Sequence, residues 1–125
     1  MGKLTIKPSD IKAGKIVKPG WHVLEITDYV EEPNKAKDAN NHVFDFLGQD
    51  ADTKDVPFKI WISEKAPAIL GVPLAKALGQ QINEDEGITL DFQKDALVGK
   101  KVKANIVTGS YMNKPKNEII DFAPL

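Results

Sequence analysis

From Trp21 to about Val30, apolar and polar residues alternate, with Leu24 and Ile26 set against Glu25 and Thr27. A period of two is the mark of a half-buried strand, so this stretch is predicted to be the first strand. A second is predicted over His42–Leu47, with Phe44 and Phe46 on one face and Val43, Asp45 and Leu47 on the other. A third, Val56–Ser63, sets Phe58, Ile60 and Ile62 against Lys59 and Trp61. Between them lie a polar loop, Glu31–Asn41, and a turn, Gly48–Asp55. After Ser63 the period changes. Two short helices are expected there, Glu64–Leu70 capped by Ser63 and a second beginning at Pro73 and closed by Gly79, with Gly71 interrupting them. An acidic connector follows, with an extended piece at Ile88–Phe92. Alternation returns after Leu97, where Val102, Ala104 and Ile106 oppose Lys101, Lys103 and Asn105. Gly99 marks a bend before that strand, Asn113–Lys116 reads as a turn, and Asn117–Phe122 is the last strand.

Three strands, a helical connection and a two-stranded hairpin is the element order of an OB-type fold. The expected class is therefore mainly β: a five-stranded Greek-key barrel with a short helical segment between strands three and four. An α+β sheet with the same order of elements is the alternative. Residues 1–19 form an extended basic lead-in, too apolar at Leu4, Ile6, Ile11, Ile16 and Val17 for a free tail and so expected to lie on the barrel of residues 20–125. Trp21, beside Pro19-Gly20, is expected to anchor that lead-in.

A chain of 125 residues suits one domain. There is no cysteine, which excludes disulfides, thiolate metal sites and cysteine nucleophiles. No apolar run approaches the ~18 residues of a membrane span, and no signal sequence is evident, so a cytoplasmic location without membrane association is expected. The net charge of −1 says little, but its distribution says more. Lys3, Lys7, Lys12, Lys15 and Lys18 crowd the lead-in, whereas Glu84-Asp85-Glu86 is an acidic knot expected to be a solvated loop away from any anionic ligand. Every basic side chain is lysine. Without a guanidinium fork, bidentate reading of guanine is excluded, and nucleic-acid binding would be directed at the backbone.

Catalytic and cofactor motifs are missing. His22 and His42 stand on separate strands, and no spacing of carboxylates marks a metal triad, so no metal site is expected. The run Asp50–Asp55 resembles a calcium loop only faintly, because Asp55 and Trp61 fall where an EF-hand needs glycine and glutamate; a solvated turn is expected. There is no Walker glycine loop, no G-x-G and no nucleophile elbow. Neither an enzyme nor a cofactor is expected.

The positive signal is parity on the third strand. If Phe58, Ile60 and Ile62 point inward, Lys59 and Trp61 point outward together. A base can stack on the indole while the ammonium meets a phosphate. The competing reading buries Trp61 under the following helix. Lys35 and Lys37 between the first two strands, and Tyr111, Lys114 and Lys116 around the final hairpin, occupy the two loops that border an OB-fold's oligonucleotide groove. Tyr29 is a further candidate for stacking, with core or rim packing as its alternative.

The segments PGWHVLEITDYVEEPNKAKDANNHVFDF, LVGKKVKANIV and YMNKPKNEIIDF, over residues 16–123, resemble bacteriophage OB-fold single-stranded DNA-binding proteins and their uncharacterised phage relatives. The resemblance implies coating of transient single strands during phage DNA replication or recombination, in the cytoplasm of an infected bacterium. It carries the contact role to Trp61, Lys59, Tyr111, Lys114 and Lys116, and it implies replication or recombination proteins as partners; a further copy of the chain is a partner that docking by the lead-in or a sheet edge would allow. The chain departs from many such proteins in having no acidic tail after Phe122. An interaction or structural module that ignores nucleic acid is the alternative function.

Overall fold

The computed structural model describes residues 2–125. Five antiparallel strands, β1 (Gly20–Pro33), β2 (Asn40–Gly48), β3 (Pro57–Ser63), β4 (Lys101–Tyr111) and β5 (Lys114–Ala123), form one sheet in the order β3-β2-β1-β4-β5. Short helices α1 (Pro8–Ile11) and α3 (Lys94–Leu97) and the longer α2 (Ala68–Ala77) complete the described elements. No described helix is long and apolar enough to cross a membrane.

The sheet is open between its edge strands, yet it folds over on itself. Phe46 of β2 stacks on Phe122 of β5 at 5.6 Å, although β1 and β4 lie between those strands. Edge residues of both β3 and β5 line one cavity. The inner face carries the core, with Leu24, Ile26, Phe44, Phe46, Val102 and Ile106 almost wholly removed from water. Each such side chain contributes about 1.5–3 kcal/mol of hydrophobic stabilisation. That gain outweighs the weak local preferences of the segments that carry them.

Parity on β3 is as the alternation predicts: Phe58, Ile60 and Ile62 are buried, while Lys59 and Trp61 are exposed. Parity on β1 is interrupted. A bulge between Ile26 and Asp28 shifts the register, so that Tyr29 pairs with Phe44 and Glu31 with His42. An extra residue turns the strand beyond it to the other face. Tyr29 and Glu31 therefore share the inner parity of Leu24 and Ile26, which simple alternation would deny them.

Four expectations need correction. The two short helices are one, α2, running through Gly71 and Pro73. Burial of Leu74 and Ala75 against the core overrides the ~1 kcal/mol cost of an internal glycine. Pro73 cannot donate to the Ile69 carbonyl, but Ile69 is exposed and water can serve that oxygen. The end at Gly79 is as expected: with φ at +88° it permits paired bonds from Gly79 N to Lys76 O and from Gln80 N to Ala75 O, a Schellman closure. Second, Ile88–Phe92 is irregular rather than a strand, and Phe92 packs on Tyr29 and Phe44. Third, the last hairpin turns at Met112-Asn113, both at positive φ, so Lys114 and Lys116 lie on β5 and not in the turn. Two consecutive left-handed residues are what a type I′ turn requires.

Fourth, Trp21 is 48% exposed rather than enclosed, and the hydrogen bonds that tie the lead-in come from elsewhere. Asn117 of β5 accepts a bond from Val17 N at 3.0 Å and donates to Lys15 O at 2.7 Å, and the Lys12 ammonium donates to Lys54 O at 3.0 Å. Val17 enters the core. The lead-in is thereby tied to β5 on one side and to the β2–β3 connection on the other.

Candidate nucleic-acid interface

On the outer face of the sheet, register places Val30, Val43 and Trp61 in one row and Asp28, Asp45 and Lys59 in the next. Val43 is buried despite its outward parity, between Val30 and the indole. Trp61 itself is 55% exposed, so the reading that hides it under the helix does not hold. The Lys59 ammonium lies 5.9 Å from the centre of its ring.

A matching pair stands on the opposite edge. Tyr111 faces Lys114 across the hairpin, and the Lys116 ammonium lies 5.7 Å from the Tyr111 ring centre. Lys59 and Lys116 both line the cavity between β3 and β5, about 230 Å³ in volume, with Gly14 of the lead-in at its margin. The lysines of the two exposed aromatic–ammonium pairs thus share one open cleft, while Tyr111 borders a second hollow of the hairpin with Met112, Lys114, Pro115 and Lys116. Cation–π contact at exposed sites is worth only about 0.5–1 kcal/mol, so the pairs can open to admit another partner.

The charges along this surface differ in their commitments. Lys59 is 3.5 Å from Asp45, and Lys94 is 2.7 Å from Asp28. The hydrogen bond from Lys94 holds the Asp28 carboxyl below the usual carboxylate range and raises Lys94 in turn. The outer row is therefore locally neutral. Lys114 and Lys116, and Lys35 and Lys37 in the β1–β2 connection, make no ion pair among the described residues. That connection lies beside the end of β3, because Glu64 N donates to Asn40 O and the Lys65 ammonium pairs with Asp38. A line along β3 thus starts near Lys35 and Lys37, passes Trp61 and Lys59, and ends at the cleft with Lys116, beyond which Tyr111 and Lys114 stand at the hairpin end.

Tyr29 does not join it. Its ring lies within 5.4 Å of those of Phe44 and Phe92, and its hydroxyl is 2.5 Å from His42 Nδ1. Burial, and then the carboxylates of Glu31, Glu64 and Asp91, push its hydroxyl up, so it stays neutral. The cause is the β1 bulge, and the register it sets is not written in the alternation of residues.

Two other polar clusters were not foreseen. His42 Nε2 lies 3.2 Å from Glu64 Oε2 and 3.7 Å from Glu31 Oε1. His22 is buried with Asp50, whose carboxylate accepts from Val23 N at 2.9 Å, Thr53 N at 3.1 Å and Thr53 Oγ1 at 2.8 Å. Burial alone would raise the Asp50 carboxyl, but those bonds and His22 outweigh it and hold it low. The Asp50–Asp55 stretch is a turn, as expected, with Ala51, Asp52 and Lys54 exposed, but Asp50 and the buried Thr53 fix it from within. Gly48 completes it, since a Cβ there would stand 1.9 Å from Thr53 O. The acidic knot does face solvent, with Asn83 Oδ1 accepting from Asp85 N and Glu86 N.

No protein-family model matches the chain, and no curated protein matches it in sequence.

Proposed function

We propose that this protein binds single-stranded DNA without sequence preference, as an OB-type barrel left open between its third and fifth strands. The observation that carries the reading is the pair of exposed aromatic–ammonium contacts, Lys59–Trp61 on β3 and Lys116–Tyr111 at the β4–β5 hairpin, whose two ammonium-bearing residues line one cleft. A flexible strand presents flat bases and phosphates in alternation, and each aromatic–ammonium pair offers a partner for both. Lys35, Lys37 and Lys114, which make no ion pair among the described residues, add positive charge at the two ends of a track whose middle is locally neutral. The order β3-β2-β1-β4-β5, with both edges on one cleft, supports the barrel reading, because pairing those edges would close the sheet. The resemblance to phage single-strand binders points to work in DNA replication or recombination inside an infected bacterium, alongside the proteins of those processes.

Lysine-only contacts neutralise phosphates, so affinity should fall with salt at a log–log slope of about −0.7 per phosphate contacted. The test is a titration of intrinsic tryptophan fluorescence with oligo-dT at low salt. Binding should quench Trp61, and Trp61→Ala should cost about 1–3 kcal/mol of affinity. Trp21→Ala serves as the control and should bind as the parent does. Absence of retention at low salt, or equal affinity after loss of Trp61, would exclude the reading. Tight self-association with indifference to DNA would favour an interaction module, and magnesium- or manganese-dependent cleavage of labelled DNA would favour a nuclease.

A further inference from the structure

The strongest polar cluster outside the cleft lies where the ends of β1, β2 and β3 meet. The β1 register sets Glu31 directly opposite His42, and Glu64 follows β3 immediately. One ligand atom from each of these residues lies within 4.8 Å of the others. A tetrahedral ion with bonds of about 2.0–2.1 Å needs its ligands about 3.3 Å apart. The separations of 3.2 Å and 3.7 Å from His42 Nε2 bracket that spacing.

The groups are also held for the task. Asn40 orients both carboxylates, donating its backbone N–H to Glu64 Oε1 at 2.8 Å and its side-chain amide to Glu31 Oε1 at 3.3 Å. Tyr29 holds the imidazole from behind, its hydroxyl 2.5 Å from Nδ1. Without an ion Nε2–H donates to Glu64 Oε2 at 3.2 Å; an ion would take the place of that proton, with the ring proton moved to Nδ1 and donated to the Tyr29 hydroxyl. Such outer partners orient metal-binding histidines and set their tautomer. In a chain of seventeen lysines, neither carboxylate takes one as a partner among the described residues. Two neighbouring carboxylates without a fixed cation favour one that arrives from solution.

We propose that Glu31, His42 and Glu64 bind a divalent transition-metal ion of the zinc type. One imidazole and two carboxylates suit such an ion, whereas magnesium and calcium prefer oxygen alone. His42 and Glu64 also line a cavity of about 280 Å³ with Ile62, Pro67, Gly71 and Phe92, which gives the ion a route from solvent and room for a water as fourth ligand. The site does not depend on DNA binding, and it joins the β1–β2 connection to the end of β3.

The test is titration of the whole purified chain with Zn²⁺ by calorimetry and with Co²⁺ by visible absorption. A single saturable ion per chain is expected, with d–d bands of four- or five-coordinate cobalt that zinc abolishes. Glu31→Gln and Glu64→Gln, both exposed and able to fold, should each weaken binding by tenfold or more. Tyr29→Phe keeps the packed ring and should weaken it by about tenfold, as loss of an outer partner does. Glu118→Gln on β5 should change nothing. Absence of saturable binding, binding indifferent to both glutamine variants, or calcium binding as strong as zinc would each overturn the assignment.

Discussion

His22 and His42 both take inward-facing positions on their strands, and both meet carboxylates, but they close opposite ends of the same core. At the His22 end the histidine is 5% exposed, and Asp50 spends its oxygens on two backbone amides, a hydroxyl and the ring. At the His42 end the ring is partly open, and Glu31 and Glu64 are about half exposed. One residue type in one strand parity thus serves two purposes. Where every acceptor is used and the ring is shut off from water, a histidine–carboxylate pair is part of the fold; where oxygens are left over at the surface, it is free to take a ligand.

The largest effect should come from breaking the closed end. Asp50→Ala leaves the Val23 and Thr53 amides and His22 without their acceptor, each such loss costing about 1–3 kcal/mol where water cannot enter. Asp50 is 29% exposed at its side chain, so partial rehydration limits the total to about 3 kcal/mol. Glu64→Ala, at an exposed ion pair that solvent screens, should cost much less. Urea denaturation of the two variants measures both, and equal losses would erase the distinction between the ends.

Acid should sharpen the same contrast. The Asp50 carboxyl is held below its ordinary value of 3.8, so the folded state binds that proton less readily than the unfolded chain. Its stabilisation is present in full above the unfolded value and is lost as pH falls through the lower folded one. Asp50→Asn removes this dependence. The urea midpoint of the parent should drop from about pH 4 downward, and the variant, weaker at neutral pH, should drop less. Parallel curves would show that Asp50 does not couple folding to protons.

How far these ends could be read from residues alone follows from the distances in sequence. The β3 parity was legible because Phe58, Ile60 and Ile62 recur at a period that only a strand satisfies, and that period alone turns Trp61 and Lys59 outward. The exposure of Trp21 was not legible, since nothing local shows that the lead-in is held by Asn117, a hundred residues from Val17. His22 and Asp50 are 28 residues apart, and Asp50–Asp55 has the composition of any polar turn. Glu31, His42 and Glu64 become neighbours only through a register that the Ile26/Asp28 bulge sets. That bulge also took Tyr29 out of the expected contact set. Alternation tells which face a residue takes until an extra residue intervenes, and no residue type here announces one.

A smaller effect separates the hydroxyls at the two ends. Thr53→Val keeps the shape of a fully buried side chain and removes its bond to Asp50, for a loss of about 1 kcal/mol. Tyr29→Phe removes a bond to a ring that water can reach, and should cost less than half of that. Thermal or urea unfolding of both variants checks the order.

The smallest effect joins the open end to the proposed DNA track. Glu64 stands beside the connection that carries Lys35 and Lys37, through its bonds with Asn40. A negative charge about 10 Å from a phosphate costs binding about 0.4 kcal/mol in water. Glu64→Gln should therefore tighten oligo-dT roughly twofold at low salt, and the gain should fade near 0.15 M salt as the screening length falls to about 8 Å. Asp50→Asn neutralises a carboxylate at the other end and should leave affinity unchanged where the variant is folded. Metal-free buffer isolates the charge effect, because an ion between Glu31, His42 and Glu64 would cancel it in the parent alone. If both variants tighten DNA equally, the response is to net charge, and the strand does not pass the His42 end.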